Sequence, residues 1–96
     1  MSSYVLSPLA RRDLEEIWDR IAEHDFDTAD RVIEEIRTAI LRLTTHPLMG
    51  HIRRDLAPPR YRFWPIYSYL IIYRPDTSPL EVVRVWHGAQ DKPRLL

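Results

Sequence analysis

Hydrophobic positions recur with two different periods along this chain. Ala10, Leu14, Ile17, Trp18 and Ile21 fall at helical spacing, while Glu15, Glu16, Asp19 and Glu23 lie off that stripe. Ser7-Pro8 sits just ahead of the pattern, with serine placed to cap and proline at the first helical position. Tyr4-Val5-Leu6 before it reads as a short strand. This helix is predicted to end near His24. After the connection Asp25-Phe26-Asp27, a second apolar stripe runs through Ala29, Val32, Ile33, Ile36, Ile40 and Leu43. Asp27 or Thr28 can cap it, and Asp30 places negative charge in the first turn, where the helix dipole favours it. Pro47 cannot continue that helix and restrains His46. Two amphipathic helices joined so closely predict an antiparallel hairpin whose stripes need a sheet to cover.

Beyond Pro47 the period shortens to two. Leu48 to Arg60 reads as a loop, with Gly50, Pro58 and Pro59, and carries His51, Arg53, Arg54 and Arg60. Three strands follow: Tyr61–Trp64, stopped by Pro65, then Tyr69–Arg74, then Leu80–His87. Tight connections predict an antiparallel meander. The order is β-α-α-β-β-β, an α+β fold with an N-terminal helical hairpin packed on an antiparallel sheet. Alternation assigns Phe63, Val83 and Val85 to the helix side and Arg62, Trp64, Arg84 and Trp86 to the other face. It puts His87 on the helix side, where Gly88 permits a bend or bulge. The chain of 96 residues suits one domain over 1–96, with no repeats or linkers.

The last strand raises the functional question. Leu80 to Trp86 is mostly apolar, with three valines, yet Arg84 sits in its middle. An arginine in such a strand is either a paired structural cation or part of a site that meets a negatively charged partner. Stacking on Trp64 or Trp86, or pairing with Glu81 or Asp91, would satisfy the first reading. His87 serves either as a backbone hydrogen-bonding residue or, with its ordinary pKa near neutrality, as a proton-transfer group. The tryptophans at 64 and 86 suit core or partner-covered surface better than nucleotide stacking.

Composition narrows the classes. There are no cysteines, so disulfides and thiolate metal sites are excluded, and the histidines at 24, 46, 51 and 87 show no metal spacing. No cofactor is implied. No 18-residue apolar run occurs, which excludes a transmembrane helix. Met-Ser-Ser-Tyr-Val-Leu lacks a signal-peptide layout, so a cytoplasmic protein is expected. The zero net charge conceals an asymmetry: residues 1–35 carry −6 and residues 36–96 carry +6, and 13 of the 14 basic residues are arginines. Arginine forks suit carboxylates and phosphates, so Arg53, Arg54, Arg60 and Arg62 are either solvated or the place for an acidic partner segment.

The ordered set of short motifs resembles the ParE branch of the RelE/ParE superfamily of toxins from type II toxin–antitoxin systems. It runs from Leu6-Ser7-Pro8-Leu9-Ala10 and Asp13-Leu14-Glu15-Glu16-Ile17 through Ala29 to His46-Pro47-Leu48-Met49-Gly50. It continues with Arg54-Asp55-Leu56, Leu70-Ile71-Ile72-Tyr73-Arg74 and Val83-Arg84-Val85-Trp86-His87-Gly88-Ala89-Gln90-Asp91. The resemblance implies the same β-α-α-β-β-β fold, a growth-inhibiting toxin, and a role in plasmid stabilization. It also implies a cognate ParD-like antitoxin of ribbon-helix-helix type in a hetero-oligomer, received on the exposed last strand or on the helical hairpin. ParE-like members inhibit DNA gyrase by binding; direct nucleic-acid binding is not expected of them. RelE-like members instead cleave messenger RNA on the ribosome, which would cast Arg84 and His87 as catalytic. Those nucleases carry an arginine on the middle strand where this chain has Leu70, and their lysine-rich phosphate cradle is missing here. A binding toxin is therefore the leading expectation. A ribosome-dependent endoribonuclease and a non-toxic antitoxin-binding module stand as alternatives. Target or antitoxin contacts are expected at Arg53, Arg54, Arg60, Arg62, Trp64, Arg84, Trp86 and His87.

Overall fold

The computed structural model describes residues 3–88. Its elements are β1 (Tyr4–Leu6), α1 (Pro8–Ala22), α2 (Phe26–Thr45), a 3-10 turn (Pro47–Met49), β2 (Arg62–Ile66), β3 (Tyr69–Arg74) and β4 (Leu80–His87). The predicted order holds. Of the C-terminal motif that begins at Val83, Ala89 to Asp91 lies outside the described residues.

Each helix starts on a side-chain cap. The Ser7 hydroxyl accepts from the Ala10 N–H at 3.0 Å, with Pro8 following in the first turn. The α2 cap is Asp25 rather than Asp27 or Thr28. Its carboxylate accepts from the Asp27 N–H at 3.1 Å and the Thr28 hydroxyl at 2.6 Å. The helix thus starts at Phe26, and Asp27 becomes the acid of the first turn.

The four strands form one mixed sheet in the order β1-β4-β3-β2. The antiparallel meander β2-β3-β4 is as predicted, and β1 adds to it in parallel, Tyr4 beside Leu80 and Leu6 beside Val82. The last strand is therefore interior over that stretch, flanked by β1 and β3, rather than an exposed edge. Pro65 does not stop β2, which runs on to Ile66. β2 is an edge strand, and Phe63 directs its N–H and C=O outward to His51, both at 2.8 Å. Pro65, two residues on, also faces outward, where a missing N–H costs no ladder bond.

The face assignment needs correction. Ile72 pairs with Arg84 but Tyr73 pairs with Val82, so Val83 is an extra residue and β4 carries a bulge. The bulge shifts the alternation by one position. Val82 and Val85 both face the helices, packed with Leu14, Ile17, Ile36, Ile40, Ile71 and Tyr73, while Val83 turns to the other face. Trp64 joins the helix-side core, and Phe63 lies on the opposite side with Leu56, Ala57 and Ile72. That second, smaller cluster is roofed by the loop before β2, with Leu70, Val83 and Trp86 at its margin.

Candidate functional site

Arg84 sits at the bulge, where β4 passes beneath α1. The Asp13 carboxylate accepts from Arg84 Nε at 2.8 Å and from Nη2 at 2.9 Å. The same carboxylate accepts from the Val85 N–H at 3.0 Å. This is fork-to-fork geometry with a third bond to backbone. The pair is largely withdrawn from water: the Arg84 and Asp13 side chains are 20% and 11% exposed. The guanidinium also lies over the Trp86 ring, 4.7 Å from its centroid. The Asp13 hydrogen bonds hold the Arg84 pKa above its ordinary value, against the opposing effect of burial.

Ser7 secures the other side of the bulge. Its backbone N–H donates to Val82 O at 3.0 Å, and its hydroxyl donates to Val83 O at 2.6 Å. One residue thus caps α1 and satisfies the carbonyl exposed by the bulge. Asp13 satisfies the next free N–H. The motifs around Ser7, Asp13 and Arg84 meet here as one structural joint.

Past the joint, a small cleft of about 120 Å³ opens between α1 and the end of β4, lined by Asp13, Glu16, Arg20, Arg84 and His87 among others. His87 lies against Tyr69, ring centroids 5.2 Å apart at 50°. The Gly88 N–H donates to Ser68 O at 2.6 Å, tying the strand end to the β2–β3 turn. Arg84 and His87, the two residues a nuclease would use, do share this cleft. Their surroundings do not suit phosphate: two carboxylates offset the two guanidiniums, and the Nε/Nη2 edge of Arg84 is taken by Asp13. Cleavage of RNA needs free cations where negative charge builds. On the neighbouring strand, Leu70 pairs opposite Trp86 and supplies no second cation.

The other expected contact residues are dispersed. Arg53 is engaged by Asp55 at 3.0 and 2.8 Å. Arg62 donates to Gly50 O at 2.8 Å and Leu48 O at 3.3 Å. Arg60 stacks on Tyr61 at 5.0 Å, and Arg54 is exposed. Trp64 stacks with His51 at 6.2 Å, on the helix side of the sheet and away from Trp86. Two arginines set among two tryptophans on one face do not occur.

Two features escaped the sequence reading. One is Asp13, 71 positions from its partner, whose helical face marked it only as polar. The other is the buried Tyr73 hydroxyl, which donates to Pro47 O at 2.7 Å and accepts from the Gly50 N–H at 2.9 Å. Burial pushes the Tyr73 pKa up, opposed by the Gly50 bond and nearby Arg62. A Cβ at Gly50 would lie 2.8 Å from Tyr73 Cε1 and closer still to its hydroxyl, so the glycine of the His46–Gly50 motif is required by packing.

The fold, a helical hairpin clamped to a four-stranded mixed sheet, is shared with a solved structure. A solved chain described as the chromosomal ParDE TA system from P. aeruginosa superposes on this one with a TM-score of 0.74. The match covers 91% of this chain and 96% of that one at 16% identity, and so speaks for the fold. The sequence model of the ParE toxin of type II toxin–antitoxin systems, parDE, matches residues 4–92. Toxin ParE1 of Mycobacterium tuberculosis is 35% identical over 97 residues, in both strain CDC 1551 / Oshkosh and strain H37Rv. Those alignments span 99% of this chain and 98% of each relative. The chain belongs to the ParE toxin family of type II toxin–antitoxin systems, and membership implies an antitoxin partner.

Proposed function

We propose that this toxin works by contact rather than by chemistry, binding and inhibiting DNA gyrase, and that a ParD-like ribbon-helix-helix antitoxin neutralises it in a hetero-oligomer. Residues 1–96 act as one domain in the cytoplasm. The observation that carries the non-catalytic half is the occupied guanidinium of Arg84. With Nε and Nη2 given to Asp13, its charge is paired and one edge of its fork is taken, which disfavours a role in holding a scissile phosphate. On the adjoining strand Leu70 stands opposite Trp86, so β3 supplies His87 with no cationic partner. Gyrase as the target follows from family resemblance. Among the expected contact residues, Arg54 and Arg60 keep exposed positions suited to an acidic partner, whereas Arg62, Trp64 and Arg84 serve the fold.

The reading is tested by inducing the toxin in cells and scoring the response. Gyrase inhibition produces a DNA damage response with intact transcripts. Cut transcripts and early translation arrest would instead favour ribosome-dependent cleavage by Arg84 and His87. Harmless overexpression would favour a non-toxic antitoxin-binding module.

A further inference from the structure

The loop from His51 to Arg62 holds four arginines against one aspartate, a net charge of +3. Connections of such length are commonly mobile, but this one is fixed. His51 and Phe63 exchange two backbone bonds of 2.8 Å at its base. The Leu56 and Ala57 N–H groups both donate to Arg53 O at 3.0 Å, and the Tyr61 N–H donates to Pro58 O at 3.1 Å. Leu56 and Ala57 are buried against Phe63 and Ile72. The arginines are thus carried on a rigid platform over the sheet face turned away from the helices.

Their charge is largely uncompensated. Asp55 pairs with Arg53. Arg62 bonds to the neutral carbonyls of Gly50 and Leu48, which hold its guanidinium without cancelling its charge. Arg60 lies over the Tyr61 ring and Arg54 is exposed, and neither has an ion pair among the described residues. The helical layer on the other side of the sheet is the reverse: residues 8–45 hold ten acids against six arginines. An acidic partner is therefore steered to the loop side.

The loop suits phosphate better than an acidic protein surface. A protein interface is built around a desolvated apolar core. Here Leu56 and Ala57 point inward and Tyr61 is half-buried, leaving Ile52, 40% exposed, as the large aliphatic side chain on the surface of the loop. A phosphate backbone asks only for fixed cations, and the guanidinium fork matches its oxygens.

We infer that the loop from His51 to Arg62 is a contact surface for the phosphate backbone of duplex DNA held by gyrase, an inference that rests on the gyrase reading above. Arg54 and Arg60 meet phosphates, while Arg53 and Arg62 stay in their present bonds and add to the local field. No base is read, so the contact is independent of sequence. The neutral chain with its acidic helical layer holds free DNA weakly, and gyrase supplies the rest of the contact. Family resemblance gives no reason to expect this; the charge distribution does.

The test measures the affinity of the full-length toxin for gyrase alone and for gyrase loaded with linear duplex DNA of arbitrary sequence. Wild type is expected to bind the loaded enzyme about tenfold more tightly, a gain that shrinks as salt rises. Arg54→Glu combined with Arg60→Glu should bind gyrase alone as wild type does and lose the gain. Its slope of log gain against log salt should be shallower by about two. Arg11→Glu combined with Arg37→Glu makes the same change of net charge on the helical hairpin and should keep the gain. Thermal melting checks that each variant is folded. Equal wild-type affinity with and without DNA needs no variant and overturns the inference. So does a gain that survives reversal of Arg54 and Arg60, or one lost equally on reversal of Arg11 and Arg37. Wild type that binds gyrase in neither form overturns the gyrase reading, and the loop assignment with it.

Discussion

Asp13 on the first helix holds Arg84 on the last strand by two hydrogen bonds of 2.8 and 2.9 Å, across 71 positions of sequence. The same carboxylate accepts from Val85 N–H, so its removal strands a cation and a backbone donor together. Breaking a buried pair from one side costs about 3–5 kcal/mol. With a fifth of the Arg84 side chain still in water, Asp13→Ala is expected to cost about 2–3 kcal/mol in chemical denaturation. Asp13→Asn keeps an acceptor for Val85 and should lose less. Equal stability of Asp13→Ala and wild type would show that the joint does not hold the fold.

Gly50 and Tyr73 form a second joint, between the loop and β3. Tyr73→Phe removes both bonds of the hydroxyl and should cost about 1–3 kcal/mol. Gly50→Ala should cost as much through overpacking against the ring. The double variant should fall short of the sum, because the hydroxyl clash is gone, yet not recover, because the contact with Cε1 remains. A double-mutant cycle by urea denaturation measures this coupling. The Tyr73 pKa is raised from 10.0. The folded state therefore holds this proton more tightly, and stability is lost as pH rises above about 10. Tyr73→Phe should flatten that loss.

Tyr67 is the first residue of the two-residue turn between β2 and β3 and has φ of 53°. A side chain there is strained, and glycine is the usual occupant of such a turn position. Its hydroxyl bonds to Glu35, but at an exposed site where the gain is small. Tyr67→Gly is expected to stabilise the fold by about 1 kcal/mol, a rise of ~4–8 °C in Tm. Tyr67→Val should lower Tm.

Asp25 couples α2 to acid. The Thr28 hydroxyl and then the Asp27 N–H hold its carboxyl below the ordinary 3.8. A depressed carboxylate contributes stability above its unfolded value, lost as pH falls through the lower folded value. Amides at the start of α2 should therefore exchange faster below about pH 4, relative to the helix centre. Asp25→Ala should show fast exchange there at all pH values.

Periodicity made the two helices and the three-strand meander legible, because each element has one buried face. The caps were partly legible: Ser7-Pro8 is unambiguous, whereas Asp25, Asp27 and Thr28 are three cap residues in close succession, and only backbone geometry selects Asp25. Pro65 misled because a sequence does not say which edge a strand occupies. The bulge put Val83 on the wrong face, and Phe63 and Trp64 were exchanged because alternation within β2 does not say which parity faces the helices. The nature of Arg84 turned on a partner in another element. Local sequence offered Glu81 and Asp91, and the fold brought Asp13.

Under the proposed function this toxin acts by binding gyrase, with Arg84 serving the fold. Titration of purified toxin into a gyrase supercoiling reaction tests it most directly. The expected result is inhibition that rises with toxin concentration and is reversed by adding antitoxin. Undiminished supercoiling at a large molar excess of folded toxin would contradict it.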